Sequence, residues 1–244
     1  YPEVSKDELE RILNSLKNRF QNGDYPDYKE RIDRINRLKL LVEENSEDFH
    51  KALQNDFGTR HEQLSLLSDT LPIIASAKHV SKNLSKWMKP EKRKPNFPLG
   101  LLGAKAFIHN QPYGVVGIIS PWNFPLNLSL GPLVEVFAAG NNSMMKLSEF
   151  VPETSDLTEK LVKQYFREDE VVVINGGPQT SQSFAGLAFD HLLFTGSTHV
   201  AKKIAYEASE NLVPLTLELG GKSPVIVGPK AKMKKSVDKI MMGK

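Results

Sequence analysis

The sequence contains no cysteine. That excludes disulfides, thiolate metal sites and a thiol nucleophile among these 244 residues. No apolar run approaches the ~18 residues that a membrane span requires, and no signal-peptide pattern opens the chain. A cytoplasmic protein without a membrane span is therefore expected. The six histidines, at 50, 61, 79, 109, 191 and 199, never fall at ligand spacing, so no metal site is expected. Charge of one sign is scarce too. The 32 basic and 29 acidic residues leave +3, which is too little to argue for a nucleic-acid partner. The most basic stretch, KNLSKWMKPEKRK at 82–94, lacks aromatics placed as a stacking platform needs. It reads as a solvated helix end entering a proline-rich connection.

Hydrophobic residues make up 40% of the chain, enough to bury a substantial core. The first ninety residues read as helices. Leu9, Ile12, Leu13, Leu16 and Phe20 share one helical face, as do Ile32, Ile35, Leu38 and Val42. Leu64, Leu67, Leu71 and Ile74 continue the pattern, with Pro72 expected to bend that helix. Residues 90–103 form a connection without a core face. The rhythm then changes. Strand-like AFIHN, VVGII, NSMMKLS, VVVIN, HLLFTG, LTLEL and SPVIVG are interleaved with longer segments of helical pattern. Such alternation predicts an α/β fold: a Rossmann-like parallel sheet with helices on both faces, preceded by an N-terminal helical region. The expected division is helices at 1–90, a connection and bridging strand at about 91–112, and a βαβ region at 113–244, together one cofactor-binding domain.

Ligands collect at the carboxyl ends of strands in such sheets, beside helix N-termini. The GxGxxG dinucleotide fingerprint is absent. Gly221-Lys222-Ser223 supplies the tail of a P-loop, but Thr216 stands where its first glycine is required. The turn FTGST at 194–198 ends a strand and opens a helix, which suits either a phosphate or an ordinary Ser/Thr cap. SPWNFP at 120–125 is a tight turn whose Asn123 amide is placed to donate to a developing oxyanion. From spacing alone Asn123 reads first as a turn residue bonded to its own backbone. KLSE at 146–149 offers Lys146 and Glu149 as a pair for a ribose, although by itself it reads as a surface ion pair. LELGGKSPVIV at 217–227 sets Glu218 among apolar residues as a buried base without a thiol partner.

The order PWNFP, KLSE, the NGG turn at 175–177, FTGS and LELGGKSP resembles the aldehyde dehydrogenase superfamily, from about Ala104 to Val227. The wording QPYGVVGIISPWNFPLNLSLGPLVEVFAAGN is similar to the class-three and coniferyl aldehyde dehydrogenase branch. The resemblance implies that Asn123 is the side-chain donor of an oxyanion hole and Glu218 the general base. It implies that Lys146 and Glu149 hold the adenosine ribose, while Ile119, Ser120 and Trp122 line the nucleotide cleft. Gly196 and Ser197 would face the pyrophosphate, Val200 the adenine, and Leu219 with Gly220 the nicotinamide. In this family a cysteine thiolate attacks the aldehyde, a hydride passes to NAD(P)⁺, and water hydrolyses the thioester. The chain has Leu147 where the family has proline, which loosens that turn and keeps both ribose-facing residues.

The family's cysteine would fall just past Lys244, and Tyr1 stands where a Met would open a gene product. The resemblance thus implies the cofactor-binding portion of a longer enzyme, with the catalytic domain outside this chain and no turnover by the chain alone. The alternative is a nonenzymatic nucleotide-binding or interaction protein with a relic site. NAD is the expected cofactor, with NADP as its competitor, because a carboxylate at 149 repels a 2′-phosphate. The expected substrate is a small aldehyde, coniferyl or another aromatic or aliphatic one. AFIHNQPYG would join a sheet shared by two subunits, so a homodimer is expected for the full-length protein, and the chain alone is expected to aggregate.

Overall fold

The computed structural model describes residues 1–243. Helices α1 (Lys6–Gln21), α2 (Tyr28–Glu44) and α3 (Ser46–Phe57) open the chain. Ser5 and Asp27 cap the first two, each accepting from the backbone N–H three residues on. Leu9, Leu13 and Leu16 on α1, and Ile35, Leu38 and Val42 on α2, are buried as their spacing requires. On α2, Arg34 also points inward. It reaches Glu170 at 3.2 Å and the Asn142 side-chain oxygen at 3.0 Å, while Arg37 bonds the same carboxylate at 2.8 Å. Burial alone would push the Glu170 carboxyl up. The hydrogen bonds from Arg37 and the Arg167 N–H, with the charges of Arg37 and Arg34, bring it down to about 2.

The next segment departs from the expected helical face. A short α4 (Glu62–Ser65) runs into a π-helical turn at Leu66–Thr70 before α5 (Leu71–Trp87) begins. Leu64, Leu67 and Leu71 are exposed; the residues turned inward are Ser65, Asp69 and Thr70. A π turn inserts one residue per turn and shifts the phase of the face, so a 3.6-residue count fails across it. Pro72 follows the π turn directly, at the start of α5, within a helical run that continues without a break from Glu62 to Trp87.

Strands β1 (Glu91–Arg93) and β2 (Ala106–Ile108) form a two-stranded antiparallel ribbon within the connection. The main sheet comprises β3 (Val115–Ile119), β4 (Asn142–Lys146), β5 (Val171–Ile174), β6 (His191–Gly196) and β7 (Leu215–Leu219). Its order is β5-β4-β3-β6-β7, and every adjacent pair is parallel. The crossovers run through α6 (Asn127–Ala139), α7 (Pro152–Tyr165), α8 (Pro178–Ala185) and α9 (Thr198–Ser209). Alternation along β3 divides the core in two. Val116 and Ile118 pack with α2, α5 and α6, whereas Val115 and Ile119 pack with α1, α8 and α9. Burial on both faces explains why these strands read as continuous apolar runs. One expected strand is absent: SPVIVG is irregular, with Val225, Ile226 and Val227 exposed. Apolar composition makes a strand only where a neighbour receives its hydrogen bonds, and the described sheet ends at β7. The chain closes with α10 (Met233–Gly243).

The strand order reverses between β3 and β6. One course runs from β3 outward to β4 and β5, the other from β6 to β7. That reversal opens a crevice at the carboxyl ends of β3 and β6, the usual ligand position in an open α/β sheet.

Candidate functional site

A cleft of about 920 Å³ occupies this crevice. Ile119, Ser120 and Trp122 form the wall after β3, and Glu149 stands on the turn after β4. Gly196, Ser197 and Val200 close it where β6 passes into α9. Most of the expected nucleotide-facing residues, drawn from three separate strand ends, thus share one cavity. Pro178 and Ser181 at the start of α8 complete it. The NGG turn just before them was the only sequence signal for that wall.

Lys146 ends β4 beneath Glu149. It is 1% exposed, so KLSE is no surface ion pair. Its Nζ donates to the Leu147 carbonyl at 2.6 Å and to Glu149 Oε2 at 3.3 Å. Burial pushes this ammonium pKa down, and Glu149 pulls it back up. An ammonium has three N–H donors, and these two bonds use only two of them. A buried lysine beside a half-buried carboxylate at a strand end is an arrangement that hydroxyl pairs fit, one group donating and the other accepting.

Ser197 caps α9 by accepting from the Val200 N–H at 3.3 Å, and its hydroxyl proton remains available to an anion. Position 196 has no room for a side chain, since a Cβ there would lie 2.5 Å from the Phe194 ring. The Ser120 hydroxyl is buried without a hydrogen-bond partner among the described residues. An unpartnered buried hydroxyl on a cleft wall costs free energy unless a ligand satisfies it. These features fit an anionic ligand that carries hydroxyl groups, as a dinucleotide does.

Asn123 lies beyond the cleft on the exposed turn between β3 and α6. Its side chain makes no hydrogen bond to its own backbone, in contrast to the turn reading. Its carbonyl instead accepts from Arg60 Nη1 at 2.6 Å. Arg60 pairs with Asp69, whose other oxygen accepts from the Leu126 and Asn127 N–H groups, each at 3.1 Å. Neither Arg60 nor Asp69 carries a motif, and no sequence spacing would have singled them out.

Glu218 is exposed, contrary to the buried setting its apolar neighbours suggested. It stands on β7 opposite Thr195 of β6, and Leu219 stands opposite Gly196. β7 is the edge strand, and among the described residues no layer covers this end of it. Glu218, Leu219 and Gly220 lie outside the cleft wall, one strand away from it. Asn123, on the turn after β3, and Glu218, on β7, are both exposed, and β6 lies between those two strands in the sheet. Among the described residues there is no cluster of metal-ligating side chains and no helix long and apolar enough to cross a membrane.

Comparison with known proteins bears on this arrangement. The profile described as "Aldehyde dehydrogenase family" matches residues 1–244. A probable coniferyl aldehyde dehydrogenase of Caulobacter vibrioides is 51% identical over 220 residues, covering 90% of this chain and 45% of that protein. A coniferyl aldehyde dehydrogenase of a Pseudomonas species is 44% identical over 230 residues, covering 94% and 47%. Among solved structures, a substrate-bound AldH of Staphylococcus aureus superposes with a TM-score of 0.92 at 34% identity, covering 97% of this chain and 51% of that one. The chain spans about half the length of the curated relatives it matches. With the parallel sheet, the crevice at its reversal and a match along the whole chain in agreement, the protein belongs to the aldehyde dehydrogenase family.

Proposed function

We propose that this chain is the cofactor-binding portion of an NAD-dependent aldehyde dehydrogenase. The observation that carries the reading is the buried Lys146 ammonium bonded to Glu149, whose residue lines the cleft. Desolvating an ammonium is costly, and a site that keeps one needs a use for it. Lys146 donates to a ribose hydroxyl and Glu149 accepts from another, so the negative carboxylate repels a 2′-phosphate and NAD is preferred over NADP. Ser120 and Ser197 supply hydroxyls along the cleft, and the α9 N-terminus supplies backbone N–H groups to the pyrophosphate. When bound, the nicotinamide supplies the hydride acceptor for aldehyde oxidation.

The remaining roles belong to the exposed rim. Asn123 donates to the substrate oxygen as it gains charge. Glu218 takes a proton from the thiol or from the hydrolytic water. The chain has no thiol, so the nucleophile comes from a catalytic portion outside these 244 residues, packed over β7 where Glu218 is now exposed. The coniferyl aldehyde dehydrogenases among the relatives favour a coniferyl or similar aromatic aldehyde as substrate. A cytoplasmic homodimer, joined through the β1–β2 ribbon with Phe107 and Ile108 exposed, completes the reading. The competing reading is a nonenzymatic nucleotide-binding or interaction protein with a relic site.

Calorimetric titration of NAD and NADP into the native protein, with NADH formation from coniferyl aldehyde, tests both. Tight NAD binding with turnover supports the enzyme, and binding without turnover the relic. Failure to bind either nucleotide refutes the cofactor reading outright.

A further inference from the structure

An oxyanion donor accelerates a reaction only if it is already aimed where the charge develops. Asn123 stands on an exposed turn, and its side chain has no hydrogen bond among the described residues to aim it. Pro121 and Pro125 restrain the backbone on either side, but a proline fixes its own φ and leaves ψ of Asn123 free. Something else must hold the peptide that follows Asn123.

Arg60 does so. Its Nη1 donates to the Asn123 carbonyl at 2.6 Å, and its guanidinium lies over the rings of Phe57 and Phe124 at 4.8 and 5.3 Å. Nη2 reaches Ser68 Oγ at 3.0 Å and pairs with Asp69 Oδ2. Asp69 Oδ1 accepts from the N–H groups of Leu126 and Asn127, where α6 begins. The pair therefore grips the turn twice, at the carbonyl of residue 123 and at the amides three and four residues on. The π-helical turn at Leu66–Thr70 is what brings Asp69 inward to make this contact, and such turns recur at functional sites.

We propose that Arg60 and Asp69 are positioning residues that fix the Asn123 turn so that its side-chain amide meets the substrate oxyanion. The inference rests on the oxyanion role given to Asn123 above. A guanidinium fork suits this task because it holds a carbonyl and a carboxylate in fixed relative directions, which a lysine ammonium cannot do. The two residues touch neither substrate nor nucleotide and act through the turn alone.

The test is a double-mutant cycle in the native full-length protein, read as kcat for aldehyde-dependent NADH formation at saturating NAD. Misplacing a single donor while leaving it present is expected to lower kcat about tenfold or more in Arg60→Lys and in Asp69→Asn, with NAD Kd within about twofold of wild type. In the Asn123→Ala background the same substitutions are expected to cost less than about twofold, because their effect is routed through the missing amide. Equal losses in both backgrounds overturn the proposal. Loss of NAD binding together with turnover in both Arg60→Lys and Asp69→Asn overturns it as well, since the pair would then be holding the fold rather than the turn. If Asn123→Ala turns over like wild type, the oxyanion role itself fails, and the positioning role with it. If the wild-type protein binds NAD yet oxidises no aldehyde, the enzyme reading fails first and removes the basis of the proposal.

Discussion

Replacing Lys146 by Met should separate stability from nucleotide binding. The Lys146 ammonium is 1% exposed, so the folded protein carries the cost of its desolvation. Met preserves the shape of the stem and removes the charge. Two partners are left behind. Glu149 is 27% exposed and rehydrates readily, whereas the Leu147 carbonyl loses a donor at 2.6 Å. A lost bond of that kind costs about 1–3 kcal/mol, and relief from burying a cation is of similar or larger size. The net change in unfolding free energy should therefore stay within about 1 kcal/mol of wild type, or favour the variant. Binding should respond differently. A hydrogen bond from a charged donor to a ribose hydroxyl contributes about 1.5–3 kcal/mol, so NAD Kd should rise roughly 10- to 150-fold. Urea unfolding and calorimetric titration of the same preparation measure the two quantities. The pH dependence supplies a further check. Burial lowers the folded pKa of Lys146 below its ordinary 10.5, so the unfolded chain binds the proton more tightly. Wild type should then gain stability relative to Lys146→Met as pH rises toward that value. A variant that loses several kcal/mol of stability yet binds NAD like wild type would refute the reasoning.

Three further outcomes are expected. Glu149→Gln keeps an acceptor and removes the charge, so the ratio of NADP to NAD affinity should rise roughly tenfold, read by titration of both nucleotides. Glu170 is held down to about 2 from an ordinary 4.5, so its contribution is present above the unfolded value and lost as pH falls from there toward 2. That contribution is about 3 kcal/mol in wild type, and in Glu170→Gln the acid limb should flatten while neutral-pH stability drops by about the same amount, since the buried Arg34 keeps its ion pair with Glu30 and loses only the Glu170 charge. The 244 residues without cysteine should bind NAD yet form no NADH from any aldehyde, and the native full-length protein should sediment as a dimer.

The layer architecture was legible because a parallel sheet buried on both faces demands continuous apolar strands, as in VVGII and VVVI. The cleft was legible through motifs at strand ends, where the spacing from strand to helix is tight enough to place a side chain. Burial of individual polar groups was not. A lysine at position 146 counts as surface in any tally of hydropathy, and its burial depends on what α7 and the turn after β4 lay over it. Glu218 failed in the opposite sense. Leu217 and Leu219 suggested a buried strand, but β7 is an edge, and among the described residues no layer covers its end. The Arg60–Asp69 pair escaped notice because it joins a π turn to a loop more than fifty residues on, through contacts that leave no periodicity.

The central claim is that the crevice between β3 and β6 holds a nicotinamide dinucleotide by its adenosine ribose and pyrophosphate. A crystal structure of the native protein soaked with NAD tests it most directly. The predicted result is density for the ribose hydroxyls within hydrogen-bond distance of Lys146 Nζ and the Glu149 carboxylate, with the pyrophosphate against the backbone N–H groups at the start of α9. NAD bound elsewhere, or a ribose that leaves Lys146 and Glu149 bonded only to each other, would contradict the account.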